Sequence, residues 1–487
     1  MPRNGLKPGD HLVNAVAIIT FVLIVIRALT TVDTNWDTLQ YHWPYAARAA
    51  GLCDSQCLSL GLGLETRYRA FPMLFHAAYG ALWRAFGTPA AGHGATIAVV
   101  VALCVYLWRR FAVPLAWSWL ALLAIPMVQI HLSASYVDLA ANAALTIGIL
   151  ALLRIAAARD ASITVDIVVA WAALTLAAGA KLLLIPLAAL TWSAIVVLVA
   201  HLHWRRERRV PWMHVCGLAI LGSLTILPQL AYNAWHFHNP FYPVAMHVAG
   251  FQLPGIESLK EIQQTISVSS QWIEFPSWMR WIASIFEFDA FRGRVTLWTI
   301  DQADVFRNNP SYRMGGYFCV YVIGALAIVF AHWRDRSARP MLVVIAITSV
   351  ICALLPNSHE LRYYQFWMLT LVSVVLILAF APGRASAAPA QARTRNATQA
   401  LVLLSLAGVT LMTGAQYLRT KGTRIEQLVA PTNAIVDALP AGTTLCFARE
   451  DRHAILYTRA FHPGSSIHVR SIETDGAPGC DKVINAP

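Results

Sequence analysis

Long apolar runs broken by short polar loops set the pattern of this chain. The runs fall near residues 12–30, 93–109, 113–131, 139–157, 163–180, 182–202, 211–232, 314–332, 341–356, 362–381 and 399–418. Each approaches the roughly 20 residues that an α-helix needs to cross a bilayer, so the pattern predicts an all-α polytopic membrane protein with about 11 transmembrane helices. The first run, from Leu12 to Thr30, exceeds the ~7–15 residues of a signal-peptide core, and no small-x-small cleavage pattern follows it. It reads as an uncleaved span. The segment FPMLFHAAYGALWRAFG (71–87) is also apolar enough to cross. Counting it as a span would reverse the side of every later loop. It is therefore assigned as a juxtamembrane helix at or dipping into the outer interface, a position that its aromatics and Arg84 suit.

Charge then supplies the orientation. Arginine gathers in Arg3/Lys7, Arg109/Arg110, Arg154/Arg159, HWRRERR (203–209), HWRDRSAR (332–339) and PGRASAAPAQARTR (382–395). Placing all six on the cytoplasmic side satisfies the positive-inside rule. The N-terminus is then cytoplasmic, and the C-terminus lies outside a cytoplasmic (inner) membrane. The same distribution disposes of a nucleic-acid reading of the net charge of +12, because the basic residues sit in short loops and carry no basic-aromatic motif. Only 13% of residues are charged, against about 25% in an ordinary soluble domain, which keeps the chain in the membrane class.

This topology leaves three substantial outer regions, 31–92, 233–313 and the tail from about 419, and nothing comparable inside. Function is therefore expected at the outer face. The chain divides into a membrane domain, 1–418, and a small extracytoplasmic α/β unit, 419–487. In that unit TRIEQLVAPTNAIVDAL has helical spacing, and TTLCFA and SSIHVRSI read as strands. The Ala/Pro/Arg stretch 382–395 reads as a linker. Cys104, Cys216, Cys319 and Cys352 lie in spans and pack as small apolar groups. Cys53 and Cys57 share the first outer loop, and Cys446 and Cys480 share the tail. Both pairs face an oxidising compartment and are disulfide candidates. A zinc site at C-x3-C lacks a second ligand pair.

Several polar residues interrupt the apolar pattern where chemistry could use them. Asp33, Asp37 and Tyr41 are spaced by four and would share one face of a helix. Trp36, Tyr41, Trp43 and Tyr45 would anchor that helix at the interface, beside His42. A carboxylate held there can accept a proton from an attacking hydroxyl; its bland alternative is a solvated loop charge. Asp138 in SYVDLA opens a span, where an acid also suits the helix dipole. Lys181 has apolar runs on both sides, and a cation at the membrane edge is either snorkelling or functional. Arg362, in PNSHELRYYQFW, is a natural clamp for phosphate oxygens and can also pair with Glu360. In YNAWHFHNPFYPV, Pro240 and Pro243 shape a loop carrying Asn239 and Tyr242, with His236 and His238 suited to the interface.

Taken together, WDTLQYHWPYAARA, RYRAFPMLFHAAYGALWRAFG, SYVDLA, AAGAKLLLIP, HNPFYP and LRYYQF resemble, in order across roughly residues 12–380, the GT-C class of membrane glycosyltransferases. This class includes protein O-mannosyltransferase and the aminoarabinose transferase of lipid A. The resemblance implies sugar transfer, with inversion, from a polyprenyl-phosphate carrier to an extracytoplasmic glycan, lipid or protein. Asp37 would be the catalytic base, and Asp138 would orient the acceptor or Asp37. Lys181 and Arg362 would hold the donor phosphate, and Tyr41, His42, Tyr363, Asn239 and Tyr242 would line the cavity. The resemblance implies no definite cofactor and leaves room for a divalent metal. However, Thr38 stands where many members carry Glu, so an acidic metal pair is unsupported there. An O-antigen polymerase or ligase, which relies on outer-loop Arg and His, is the nearer rival. A polysaccharide or lipid transporter is a second, and a non-catalytic scaffold a third.

Overall fold

A computed structural model describes residues 8–61, 63–157, 163–248, 250–258, 275–286, 316–355, 357–381, 388–448, 451–472 and 479–484. Much of the expected outer loop 233–313 lies outside the described residues.

Every expected span is helical where described. Helix α1 (Pro8–Thr30) leads into an outer layer of α2 (Trp43–Ala49), α3 (Leu64–Ala70) and α4 (Leu74–Phe86). The bundle continues with α5 (His93–Phe111), α6 (Leu115–Leu123), α7 (Pro126–His131), α8 (Asp138–Ala157), α9 (Thr164–Ala180), α10 (Ile185–Glu207), α11 (Trp212–Ile226) and α12 (Pro228–Phe237). After α13 (Ser277–Phe286) come α14 (Cys319–Ala331), α15 (Arg339–Leu354), α16 (Gln365–Phe380) and α17 (Ala388–Met412).

Among the described residues five helices are long and apolar enough to cross a membrane, or six if the pair α11–α12, bent by 57°, forms one span. The chain is thus a multi-pass membrane protein. The other expected spans are helices that are shorter, such as Thr164–Ala180, Cys319–Ala331 and Arg339–Leu354, or that begin in polar sequence, as α17 does. Two differences from expectation have local causes. The segment 113–131 breaks between α6 and α7, where Pro126 takes the first position of a new helix. The stretch 388–395 is the start of α17 rather than a linker, because its alanines, Gln391 and arginines are strong helix formers.

Burial orders the bundle. The apolar windows of Asp138–Ala157 and Leu361–Phe380 are 83% and 89% buried, while that of α1 is 22% buried. Helices apolar on every face belong at the centre, and α8 and α16 occupy it. Helix α4 has only 13 residues, about 20 Å, too short for a ~30 Å hydrocarbon core. It turns Phe75, His76, Tyr79 and Trp83 inward and lies against α2. The two helices approach closely at Gly80, where an added Cβ would run into the Ala46 carbonyl oxygen.

Beyond α12, strands β1 (Val244–Val248), β2 (Phe251–Leu253) and β3 (Glu257–Ser258) form a small sheet in the order β2-β1-β3. The tail carries α18 (Ile425–Asp437), β4 (Thr444–Ala448), β5 (His468–Ile472) and β6 (Lys482–Ile484). Its strands are parallel, with β4 central, and pair Leu445 with Val469 on one side and Cys446 with Val483 on the other. Among the described residues the tail forms no separate apolar centre. Leu445, Phe447, Ile455 and Val469 belong to one buried cluster with Leu39, Trp43, Leu58 and Trp83 of the segment between α1 and α5. Strand β5 continues this junction, since the Ser471 amide donates to the Ser59 carbonyl at 3.0 Å. About seventy residues bury too little surface to stand well alone, and the shared cluster supplies the remainder.

The structure contains cystines Cys53–Cys57 and Cys446–Cys480, with Cys104, Cys216, Cys319 and Cys352 as free thiols. Alkylation of the non-reduced, denatured protein followed by mass spectrometry is expected to leave the four cystine positions unlabelled and to label the other four. Closing the Cys446–Cys480 loop restrains the unfolded tail by about 3–4 kcal/mol in the chain-entropy model. Label at all four cystine positions would contradict both the pairing and the outer location.

Candidate active site

Three helix ends converge on one side of the bundle. Asp138 is the first residue of α8, and Lys181 caps the C-terminus of α9 in an extended conformation. Arg362 lies in the 3₁₀ turn Leu361–Tyr364 that enters α16. An acid at a helix N-terminus and a cation at a C-terminus both suit the helix dipoles. Asp37 reaches the same place from the segment between α1 and α2. It immediately precedes a π-helical turn, Thr38–His42, that runs into α2. Such wide turns recur at functional sites.

Two ion pairs result. The Arg362 guanidinium donates from Nη1 to Asp37 Oδ2 at 2.7 Å, with side-chain exposures of only 4% and 14%. The Lys181 ammonium bonds Asp138 Oδ1, with exposures of 15% and 3%. Arg362 Nε also lies 3.4 Å from fully buried Glu360. Tyr363 stands between the cations: Lys181 Nζ sits 3.8 Å from its ring centre and Arg362 Cζ 5.1 Å from it. Tyr136 faces Arg362 from the other side, at 5.2 Å. Removing one member of a buried pair strands the other charge, at a typical cost of 3–5 kcal/mol. These residues therefore hold one another in place. Asn142, one turn into α8, fixes the frame by donating to the Arg362 carbonyl at 3.3 Å and accepting from the Phe366 amide at 3.0 Å.

Asp33 and Asp37 do not share a face. The helix starts after Asp33, and its carboxylate turns inward to accept from the Ser135 amide at 2.8 Å and from Thr38 Oγ1. Burial raises the pKa of Asp33 above the ordinary carboxylate range, partly offset by those hydrogen bonds and by His93. Asp33 is thus an anchor for the turn, and Asp37 alone faces the cations. Burial, and then the Asp37 charge, push the Tyr41 phenol well above its usual pKa, so it remains a hydrogen-bond donor.

His42 lies on the same wall, edge-on to Tyr136 at 5.3 Å. Its Nδ1 is 2.9 Å from Nε2 of His76 on α4. Burial, and then His76, hold His42 well below the usual imidazole pKa, and burial lowers His76 to about 4. Two neutral rings share one proton across this contact. The sign of the resulting pH dependence follows. Between about 6.5, the unperturbed value, and about 4, the unfolded chain binds a proton that folded His76 refuses. Stability is therefore expected to fall as pH drops through that window and to level off below it. His42 adds in the same direction. Thermal unfolding midpoints of purified protein between pH 7.5 and 4.5 should show this slope, and His76→Gln should flatten part of it. An unchanged slope in the variant would place the titration elsewhere.

Asn239 and Tyr242 fall outside this cluster. Asn239 donates to the carbonyls of Val244 and Pro254, both at 2.7 Å, and Tyr242 stacks on Phe237 at 4.2 Å. These contacts lie around the loop before β1 and the end of α12. His76, Tyr136, Asn142 and Ser135 join the site without having been singled out in sequence. Asn142 stands four residues after Asp138, a helical spacing that could have flagged it. Nothing local marks His76. Among the described residues no group of three or more His, Cys, Asp or Glu side chains is arranged to hold a metal ion. Asp37 and Asp138 are each paired with a cation.

No family model matches the chain, and no curated protein matches it. Solved structures do. The crystal structure of ArnT from Cupriavidus metallidurans bound to undecaprenyl phosphate superposes with a TM-score of 0.54 at 14% identity, covering 95% of this chain and 86% of that one. The apo form of ArnT gives a TM-score of 0.52 at 15% identity, covering 92% and 84%. At this identity the likeness concerns architecture, and it extends over nearly the whole chain: this multi-pass membrane protein has an ArnT-like GT-C fold.

Proposed function

We propose that the protein is an integral-membrane glycosyltransferase that moves a sugar from a polyprenyl-phosphate carrier to an acceptor outside the cytoplasmic membrane. The observation that carries this reading is the paired arrangement Asp37–Arg362 and Asp138–Lys181 around Tyr363, at the outer helix ends of a fold shared with a protein crystallised with undecaprenyl phosphate. Two cations within one buried patch suit a phosphate leaving group. Both are held by carboxylates that a phosphate can replace, since each charge then exchanges one anionic partner for another.

In the proposed step, Arg362 turns from Asp37 to the donor phosphate, and Lys181 does the same from Asp138. Asp37 is then free to take the proton of the acceptor hydroxyl. The acceptor oxygen attacks the anomeric carbon from the face opposite the phosphate. The bond between that carbon and the phosphate oxygen breaks, and the electron pair leaves on the phosphate, where the two cations stabilise it. The product carries the inverted configuration, and polyprenyl phosphate is released. Asp138, released from Lys181, orients the acceptor. Tyr41 offers a protonated phenol beside Asp37.

The test is transfer from a synthetic polyprenyl-phosphate sugar by purified protein, with donor binding measured separately. Product with inverted anomeric configuration supports the reading. Donor binding without transfer across a panel of hydroxyl acceptors would favour a transporter or scaffold.

A further inference from the structure

The tail touches the element that carries Asp37 in two places. Its 3₁₀ turn Arg452–Tyr457 packs against the π-turn Thr38–His42. Phe461 inserts its ring beside two tryptophans of the first outer loop, 5.6 Å from Trp43 and 5.2 Å from Trp83, which are themselves 6.0 Å apart. Trp43 lies six residues after Asp37 and is completely buried. Its indole N–H donates to Ser135 Oγ at 2.9 Å, and the Ser135 amide donates to Asp33, which accepts from Thr38. The stretch containing Asp37 is therefore pinned at both ends. Asp33 and Ser135 hold the start, and Phe461 wedges the far end against the bundle.

We propose that Phe461 is a positioning residue for Asp37, so that the C-terminal unit forms part of the active-site scaffold. The mechanistic part of this inference rests on the transferase reading above; the structural part does not. A ring at this place removes the freedom of Trp43 to move outward into the outer aqueous phase. Rotation of Trp43 would turn α2 and the π-turn together and shift the Asp37 carboxylate relative to Arg362. Misplacement by about 1 Å can cost on the order of 100-fold in rate. The exposed contact between Arg459 and Asp54 lacks this lever. The Arg459–Asp54 pair, at 3.9 Å, is 42% and 48% exposed and lies away from Trp43.

The experiment uses full-length protein with its cystines intact and compares Phe461→Ala, Phe461→Tyr and Asp54→Ala. Two quantities are read: kcat and KM for a polyprenyl-phosphate sugar, and backbone hydrogen exchange over residues 38–49 with residues 138–157 as the internal reference. Phe461→Ala is expected to lower kcat about 10- to 100-fold, leave donor KM within about threefold, and speed exchange in 38–49 at least about tenfold. Phe461→Tyr keeps the ring and should restore both. Asp54→Ala should match wild type, because it loosens the same junction without touching Trp43. If Phe461→Ala does not purify as a folded protein, Phe461→Leu removes only the ring and is read the same way. Wild-type kcat and wild-type exchange in Phe461→Ala would overturn the proposal, as would an equal loss in Asp54→Ala. If wild type itself transfers no sugar, the transferase reading falls, and the exchange data alone decide whether Phe461 holds the Asp37 helix.

Discussion

Asp37→Asn is expected to lower turnover by about 10²–10⁴-fold while donor affinity stays close to wild type. The amide keeps the size of the carboxylate and can still meet Arg362, but it no longer takes up a proton at neutral pH. A positioned general base contributes on this scale. Donor affinity should survive because, in the proposed step, Arg362 leaves residue 37 to reach the phosphate. In wild type that departure breaks a 2.7 Å ion pair. In the variant it breaks a weaker contact, so donor binding holds or tightens slightly. Single-turnover transfer and equilibrium donor binding on the same preparation separate the two effects. Near-normal transfer by Asp37→Asn would remove it as the base and favour chemistry carried by outer-loop Arg and His.

Arg362→Ala and Lys181→Ala should act differently. Each removes a cation from the leaving-group side, and losing one electrostatic donor costs about 10²–10³-fold in rate. Here donor binding should weaken as well. Stability is the complication. Arg362 pairs with Asp37 and lies 3.4 Å from fully buried Glu360, and stranding buried carboxylates is costly. Arg362→Lys therefore belongs in the series. It keeps the charge and loses the planar fork that can grip a carboxylate and a phosphate oxygen together. The expected order of donor affinity is wild type, then Arg362→Lys, then Arg362→Ala, with folded protein confirmed for each by its unfolding midpoint. Unchanged affinity and turnover in Arg362→Ala and Lys181→Ala together would make both residues structural and place the phosphate site elsewhere.

The arrangement has one mechanical consequence. The proposed base and the proposed phosphate-binding cations come from separate parts of the fold, Asp37 from the segment before α2 and Lys181 and Arg362 from helix ends of the bundle. Anything that shifts the outer layer changes their spacing. The close approach of α4 to α2 at Gly80, the anchor at Asp33 and the ring of Phe461 all oppose such a shift.

Much of this was legible from the residues in order. Apolar runs of bilayer length gave away the class because lipid tolerates no unpaired backbone, and only helices of that length satisfy it. The costliest residues to leave at a membrane edge, Asp37, Asp138, Lys181 and Arg362, stood out against those runs for the same reason. Local signals also carried the tail helix and its two longer strands, since their spacing is a property of a few consecutive residues. Pairing was a different matter. Asp37 and Arg362 are 325 positions apart, and a charge that must find a partner does not state which one. The divergence of Asp33 from Asp37 depended on where the helix starts, which Ser135, a hundred residues on, helps to set. Asn239 binds the carbonyls of Val244 and Pro254 in its own segment, which composition does not reveal. The tail looked like a separate unit because its strands are local, whereas its apolar core is completed by Trp43 and Trp83. Periodicity along the chain determined which groups had to be buried or paired; only the packing of distant helices decided what each was buried against.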